Sequence, residues 1–304
     1  MPIRYLPYGK IDKKKWDKCI EHSQNGLIYA YSFYLDAMAE QWDALVLEDY
    51  EYVMPLTWRR KYGIFYLYQP FFCASLGIFS KNKITPKETS LFFNSVPEKF
   101  QYWDISLNYA NNFSEPGMGF YERVNYVLNL NKPYKELYAG FSTNVKRNIK
   151  KAESLNCIVK KNIELKPIVA LSKEQLQAVS SISNKDFTHF SELYKILWEK
   201  EKAVTYAVYS ANNEIMASCV FFFSHNRAYY ILVGNHPEGK KMGASHLLIN
   251  AFIKEHAGKK LLLDFEGSDL RNLALFYSSF GATREKYSAI KLNRLPPLVR
   301  WIKK

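Results

Sequence analysis

The pentapeptide DFEGS, residues 264–268, sets two carboxylates, Asp264 and Glu266, two places apart at the end of an apolar run. On a strand this spacing sends both side chains to one side. A carboxylate at the C-terminal edge of a sheet can take the proton of an attacking amine, which gives Glu266 a reading as general base. Glu266 equally fits neutralising a Lys or Arg, and Ser268 and Asp269 fit capping of the next helix. Tyr277 follows within RNLALFYSSFGA, residues 271–282. A phenol aimed into a cleft could protonate a leaving thiolate, since the two groups have neighbouring pKa values. The alternative is plain packing, because Leu270, Ala274 and the pair Phe276 and Tyr277 recur at helical spacing.

Three further clusters suit an anion or a polar acceptor. GKKMGAS, residues 239–245, joins a strand-like run at 228–233 to an amphipathic helix starting near Gly243. Open N–H groups in a first helical turn, the helix dipole, room beside Gly243 and the charges of Lys240 and Lys241 would together cradle a phosphate. An ordinary turn with solvated lysines has the same signature. In the helix expected over 142–155, Val145, Ile149 and Ala152 share one face, and Lys146, Arg147, Lys150 and Lys151 lie opposite. Arg147 and Lys150 could hold a phosphate, Arg as a fork and Lys as a point charge, or form a solvated face. In TWRRKYGIFYLYQPFF, residues 57–72, alternation puts Tyr66 and Tyr68 on one face. With Gln69 they could line an acceptor groove; a strand buried on both faces reads the same way. The six histidines show no metal-ligand spacing with Cys or a carboxylate, so no metal site is assigned.

The elements that must position these residues follow from periodicity and turn chemistry. Helices are expected at 11–22, 32–41 and 86–95, strands at 44–48, 52–58, 64–68, 102–106 and 124–130, and a loop at 108–119. A second set follows: a helix at 142–155, a strand at 157–161, helices at 172–183 and 191–200, and a meander at 204–210, 215–223 and 227–233. The chain closes with a strand at 260–264, a helix from about 270 and a strand at 286–292. Both halves read helix, helix, meander, helix, strand, which suggests an internal duplication with a hinge near 130–140.

At 304 residues the chain suits two domains. Its 48% hydrophobic content against 23% charged residues marks a globular chain rather than a disordered one. The net charge of +13, from 42 basic and 29 acidic residues, favours an anionic partner or serves solubility alone. Cys19, Cys73, Cys157 and Cys219 are scattered and form no CxxC pair, so free thiols are expected. The N-terminal stretch has no signal-peptide apolar core, and no apolar run approaches a membrane span of about 20 residues, so a cytoplasmic protein is expected.

These stretches resemble the Fem peptidyltransferase family and the Fem-like branch of the GNAT acyltransferases, over most of the chain. STNVKRNIKKAESLNCIVK, residues 142–160, is similar to the basic helix that opens the second Fem domain. DFEGSDLRNLALFYSSFGA, residues 264–282, is similar to the closing strand–helix–strand of a GNAT unit. KKMGAS resembles the GNAT pyrophosphate loop, with Lys for its usual Arg or Gln and Ser245 for its last Gly or Ala; this implies donor contacts from Lys240, Lys241, Gly243, Ala244 and Ser245. Tyr277, four residues before Gly281, matches the GNAT tyrosine acid. The Fem pattern more often has Lys after the phenylalanine that Phe276 matches.

The resemblance implies a mixed α/β (α+β) fold of two tandem GNAT-like units, expected at 1–135 and 136–304, each a mixed sheet flanked by helices. It implies an acyltransferase that acts on an amine acceptor, with acyl-CoA as co-substrate and no bound cofactor. Aminoacyl transfer from tRNA to a cell-wall precursor is the alternative, and a non-catalytic degenerate GNAT module that binds an anionic partner is the third reading. A phosphorylated acceptor and tRNA are the open partner classes.

Overall fold

Strand β1 (Arg4–Leu6) opens the first of two compact units in this computed structural model, which describes residues 2–111, 118–267 and 269–296. Helix α1 (Lys13–His22) starts where the Asp12 carboxylate accepts from the backbone N–H groups of Lys14 and Lys15, and it buries Trp16 and Ile20, one turn apart. Helix α2 (Ser32–Met38) leads to an antiparallel meander of β2 (Gln41–Leu47), β3 (Tyr52–Lys61) and β4 (Ile64–Tyr68). Strand β1 pairs with β2, and β5 (Phe79–Ser80) pairs with β3. Helix α3 (Pro86–Asn94), begun by a Thr85–Glu88 capping box and Pro in its first turn, crosses over to β6 (Phe100–Ser106), which runs parallel to β4. One face of this sheet packs on Leu45, Leu56, Phe92, Phe93 and Trp103; Tyr66, Tyr68 and Tyr102 form a separate cluster.

Strand β7 (Phe120–Asn129) does not extend that sheet in sequence order. Compact unit 1 comprises Met1–Val124 with Lys286–Lys304, and unit 2 comprises Asn125–Glu285. The strand antiparallel to β6 is therefore the last one, β13 (Thr283–Asn293), through Ala289–Ser106 to Asn293–Tyr102. In unit 2 the equivalent place, antiparallel to β12 (Leu262–Asp264), is taken by Val127, Leu128 and Asn129 of β7. The last strand, β13, thus pairs into unit 1, and the second half of β7 pairs into unit 2. The boundary expected at 135/136 differs from these units for this reason.

Unit 2 continues with α4 (Tyr134–Ala139), α5 (Thr143–Ser154) and β8 (Ile158–Lys161). The Ser142 hydroxyl caps α5 by accepting from Val145 N–H at 3.3 Å, and Val145, Ile149 and Ala152 are its buried stripe. Burial of each of the two larger side chains contributes about 1.5–3 kcal/mol. Helices α6 (Leu165–Val179) and α7 (Asn184–Glu199) precede the meander β9 (Ala203–Tyr209), β10 (Ile215–Ser224) and β11 (Arg227–Asn235). Two helices, α8 (Pro237–Met242) and α9 (Ala244–His256), cross over to β12, parallel to β11, and α10 (Arg271–Ser278) follows. The order of elements expected for the two halves thus recurs, each time as meander, crossover and parallel strand. All four cysteines are free thiols. Among the described residues no helix is long and apolar enough to cross a membrane.

Candidate active site

The parallel strands β11 and β12 pair only from Arg227–Leu262 to Tyr229–Asp264. Beyond Tyr229, β11 runs on to Asn235 without β12. A bulge lies just past this point: Val220 of β10 faces Leu232 and Phe221 faces Tyr230, so Ile231 is one residue too many. A bulge bends and twists its strand. The pairing of the two parallel strands thus ends with β12 at Asp264, and at such a parting the space outside the C-terminal strand ends is where open α/β sheets take ligands.

Aromatic rings line the parting. Phe265, directly after β12, stacks on Tyr277 at 4.5 Å with planes 18° apart. Tyr230 meets Phe265 edge-on at 6.0 Å, and Tyr126 lies 6.4 Å from Tyr277. Tyr277 is 7% exposed. Burial first, then the charge of Glu266, raises its phenol well above the ordinary range, so it is a neutral O–H at physiological pH. No hydrogen bond of that hydroxyl is present among the described residues. Tyr230 is raised too, by burial and then by Cys219 and Tyr277.

Asp264 and Glu266 do not project together as expected. Asp264 is buried and spent: its carboxylate accepts from Arg227 at 2.6 Å, Asn125 at 2.8 Å and the Glu266 N–H at 2.7 Å. Arg227 also bonds Glu285 at 2.9 Å. Glu266 has left the strand, with φ of +62°, a conformation that only surrounding bonds hold in a non-glycine residue. It is half-buried, and its charge is felt at Tyr277. Of the expected caps, Ser268 lies outside the described residues, and the residue in the cap position of α10 is Leu270, without a side-chain cap.

The expected phosphate loop is closed. Lys240 and Lys241 belong to α8, a short helix rather than an open turn, and Lys241 pairs with Glu238 at 2.7 Å. Gly243, φ +82°, joins α8 to α9, and a Cβ there would stand 2.4 Å from the Asn148 carbonyl oxygen of α5. The space beside this glycine belongs to a helix packed on it, not to open solvent. Ala244 is fully buried, and the Ser245 hydroxyl bonds Asn235. Lys240 is exposed. Gly243→Ala should therefore destabilise the unliganded protein by about 2–5 kcal/mol, from left-handed backbone strain and overpacking. An unchanged melting temperature in the unliganded variant would contradict this packing role.

Arg147 and Lys150 are exposed on α5 as expected, with Arg147 donating to Asn144 at 2.8 Å. The turn of α5 that carries them also carries Asn148, against Gly243. Tyr66 and Gln69 lie in unit 1, where they line a cavity of about 260 Å³ with Tyr68, Tyr102 and Asp104.

His246, in the first turn of α9, has no sequence signal beyond its place after the glycine. Its ring meets Phe276 edge-on at 5.0 Å and stacks near Phe280 at 5.9 Å, and its Nδ1 is buried without a partner among the described residues. Burial pushes its pKa down to about 4. The folded state then binds the proton less readily than the unfolded chain, so stability present above pH 6.5 is lost as pH falls toward about 4. His246→Phe should flatten the fall in melting temperature across that window. His256, also lowered mainly by burial, leaves a residual slope. An identical pH profile in the variant would contradict the assignment. Tyr230, Phe265 and Tyr126 were equally illegible as site residues, since each reads as core at its own strand spacing.

No curated protein sequence matches the chain significantly. Residues 139–270 match the acetyltransferase (GNAT) domain family. Among solved structures, FemX is 14% identical with 100% of both chains covered and a TM-score of 0.67. A conserved protein of unknown function from Bacteroides thetaiotaomicron VPI-5482 is 11% identical, with 93% of this chain and 97% of that chain covered and a TM-score of 0.59. At these identities the likeness is one of fold. The chain thus matches the acetyltransferase (GNAT) domain family over residues 139–270, within a fold similar to that of FemX.

Proposed function

We propose that this protein is an acyltransferase that moves an acyl group onto an amine, at the parting of β11 and β12 in unit 2. The observation that carries the reading is Tyr277, a buried neutral phenol with an unspent hydroxyl, beside the Glu266 carboxylate. The amine nitrogen attacks the acyl carbon, its proton passes to Glu266 directly or through water, and the bond to the leaving atom breaks as Tyr277 protonates that atom. Tyr277 and Glu266 are the proposed catalytic pair. Lys240, with Arg147 and Lys150 of α5, is proposed to hold the anionic part of the donor.

Acyl-CoA is the donor that the resemblance to simpler GNAT enzymes suggests. Two observations favour an oxygen ester, as in aminoacyl-tRNA. The room beside Gly243 that a pyrophosphate would use is filled by Asn148. Burial also moves the Tyr277 phenol away from the range of a thiol, about 8.5, and toward that of a sugar hydroxyl, a far weaker acid. The exposed basic face of α5 suits a polyanion, whose binding would weaken steeply with salt. Both donors are cytoplasmic, so the proposal is of a cytoplasmic enzyme.

The test is product analysis by mass spectrometry. The purified protein is given amine acceptors with acyl-CoA, with aminoacyl-tRNA, or with no donor. An amide in either donor arm supports the transferase, and the arm that yields it identifies the donor. Amide in neither arm, together with binding of RNA or CoA, would favour the degenerate binding module instead.

A further inference from the structure

The cavity of unit 1 has a chemistry unlike that of the basic surface. Strands β4 and β6 run parallel with Tyr66 opposite Tyr102 and Tyr68 opposite Asp104, so these four side chains share one face of the sheet. Together with Gln69 they line a cavity of about 260 Å³ among the described residues. The Gln69 amide serves as wall: its nitrogen donates to the Cys73 carbonyl at 2.7 Å, and its oxygen accepts from Ser106 N–H at 3.0 Å. The three tyrosines are at most 9% exposed and meet one another edge-on, Tyr66 to Tyr68 at 6.3 Å and Tyr66 to Tyr102 at 6.5 Å.

Among the described residues Asp104 supplies the only formal charge in the lining. It is exposed, touched by the Tyr102 hydroxyl at 3.4 Å, and forms no ion pair among the described residues. Lys291 stands opposite it on β13 but makes no ion pair with it. A carboxylate has about four acceptor sites, so most of its capacity is open. The tyrosine faces carry the negative side of the ring quadrupole, which attracts cations. One of them already does so: the Arg59 guanidinium lies 4.1 Å over the Tyr68 ring while paired to Glu40. An anion entering here would meet a carboxylate and ring faces with no cation in the lining.

We infer that unit 1 carries a binding site for a small organic ammonium ion, caged by Tyr66, Tyr68 and Tyr102 and neutralised by Asp104. This site does not depend on the transfer reaction, because it is defined by binding alone.

The experiment titrates the full-length protein, by calorimetry and by NMR, with choline, with n-butylammonium, with a capped lysine and with 3,3-dimethyl-1-butanol, the neutral isostere of choline. Saturable binding of a free ammonium ion is expected, at least about tenfold tighter than the isostere. Asp104→Asn should weaken it by a similar factor. Tyr102→Phe, which keeps the ring face, should retain binding, and Tyr102→Leu should lose it. Equal affinity for choline and its isostere, no binding of either ammonium ion into the tens of millimolar, or unchanged affinity in Asp104→Asn would each overturn the inference. Tighter binding of the capped lysine than of both free ions would overturn the small-ion ligand. The comparison of choline with its isostere needs only the wild-type protein, so it decides even if a variant fails to fold.

Discussion

Tyr277→Phe is expected to leave the fold intact and to lower turnover by about 10²–10⁴-fold, the usual range for losing a positioned proton donor. The change removes one oxygen. The ring keeps its stack on Phe265 at 4.5 Å, and no hydrogen bond among the described residues is lost with the hydroxyl. The melting temperature should therefore hold while the rate falls. Steady-state kinetics beside a melting curve checks this, and full activity in the Phe variant would remove Tyr277 from the mechanism. A donor with a better leaving group should recover part of the loss, because such a group needs less protonation. A variant with a lower melting temperature and a proportionate loss of activity would instead point to packing.

Arg227→Met should destabilise unit 2 by about 3–5 kcal/mol, the scale for breaking a buried ion pair by removing one partner. Arg227 and Asp264 have side chains 8% and 5% exposed, and Glu285 is 19% exposed. Burial opposes the guanidinium charge, and the two carboxylates outweigh it. Without Arg227 both carboxylates would stay buried beside each other, with Asn125 as their shared neutral partner. Chemical denaturation would show the loss as a lower midpoint. A change below about 1 kcal/mol would place the network with weak surface pairs. The network also holds the turn that sets Glu266, through Asp264 on the Glu266 N–H and Asn125 on the Gly267 N–H at 2.5 Å. The variant should lose activity even at temperatures where it remains folded.

What the sequence revealed depended on whether the signal was local. Helix α5 was legible from one apolar stripe, Val145, Ile149 and Ala152. Asn156, just past that helix, takes a left-handed φ of +54°. Helix α6 starts earlier than its pattern suggested, because Pro167 in a first turn does not break a helix. Helix α8 was missed: six residues with a glycine among them carry too little periodicity to distinguish from a turn. The partners of β7 and β13 had no local signal at all. Asn125 meets Asp264 across 139 positions, and Glu285 meets Arg227 across 58, so neither pairing is written in any window of sequence. Of the proposed catalytic pair, Tyr277 lies on its expected helix, α10. The turn at Glu266 was not legible, because alternation predicted a strand where the backbone takes positive φ.

The central claim is that acyl transfer takes place at the parting of β11 and β12, with Tyr277 at the leaving atom. A crystal structure with an unreactive donor analogue, either a thioether of CoA or an amide-linked aminoacyl RNA, tests it most directly. The predicted result places the atom that stands in for the leaving group within about 3.2 Å of the Tyr277 hydroxyl, with the acyl group between Phe265 and the stretch of β11 beyond its pairing with β12. An analogue bound with its acyl group away from Tyr277 would contradict it.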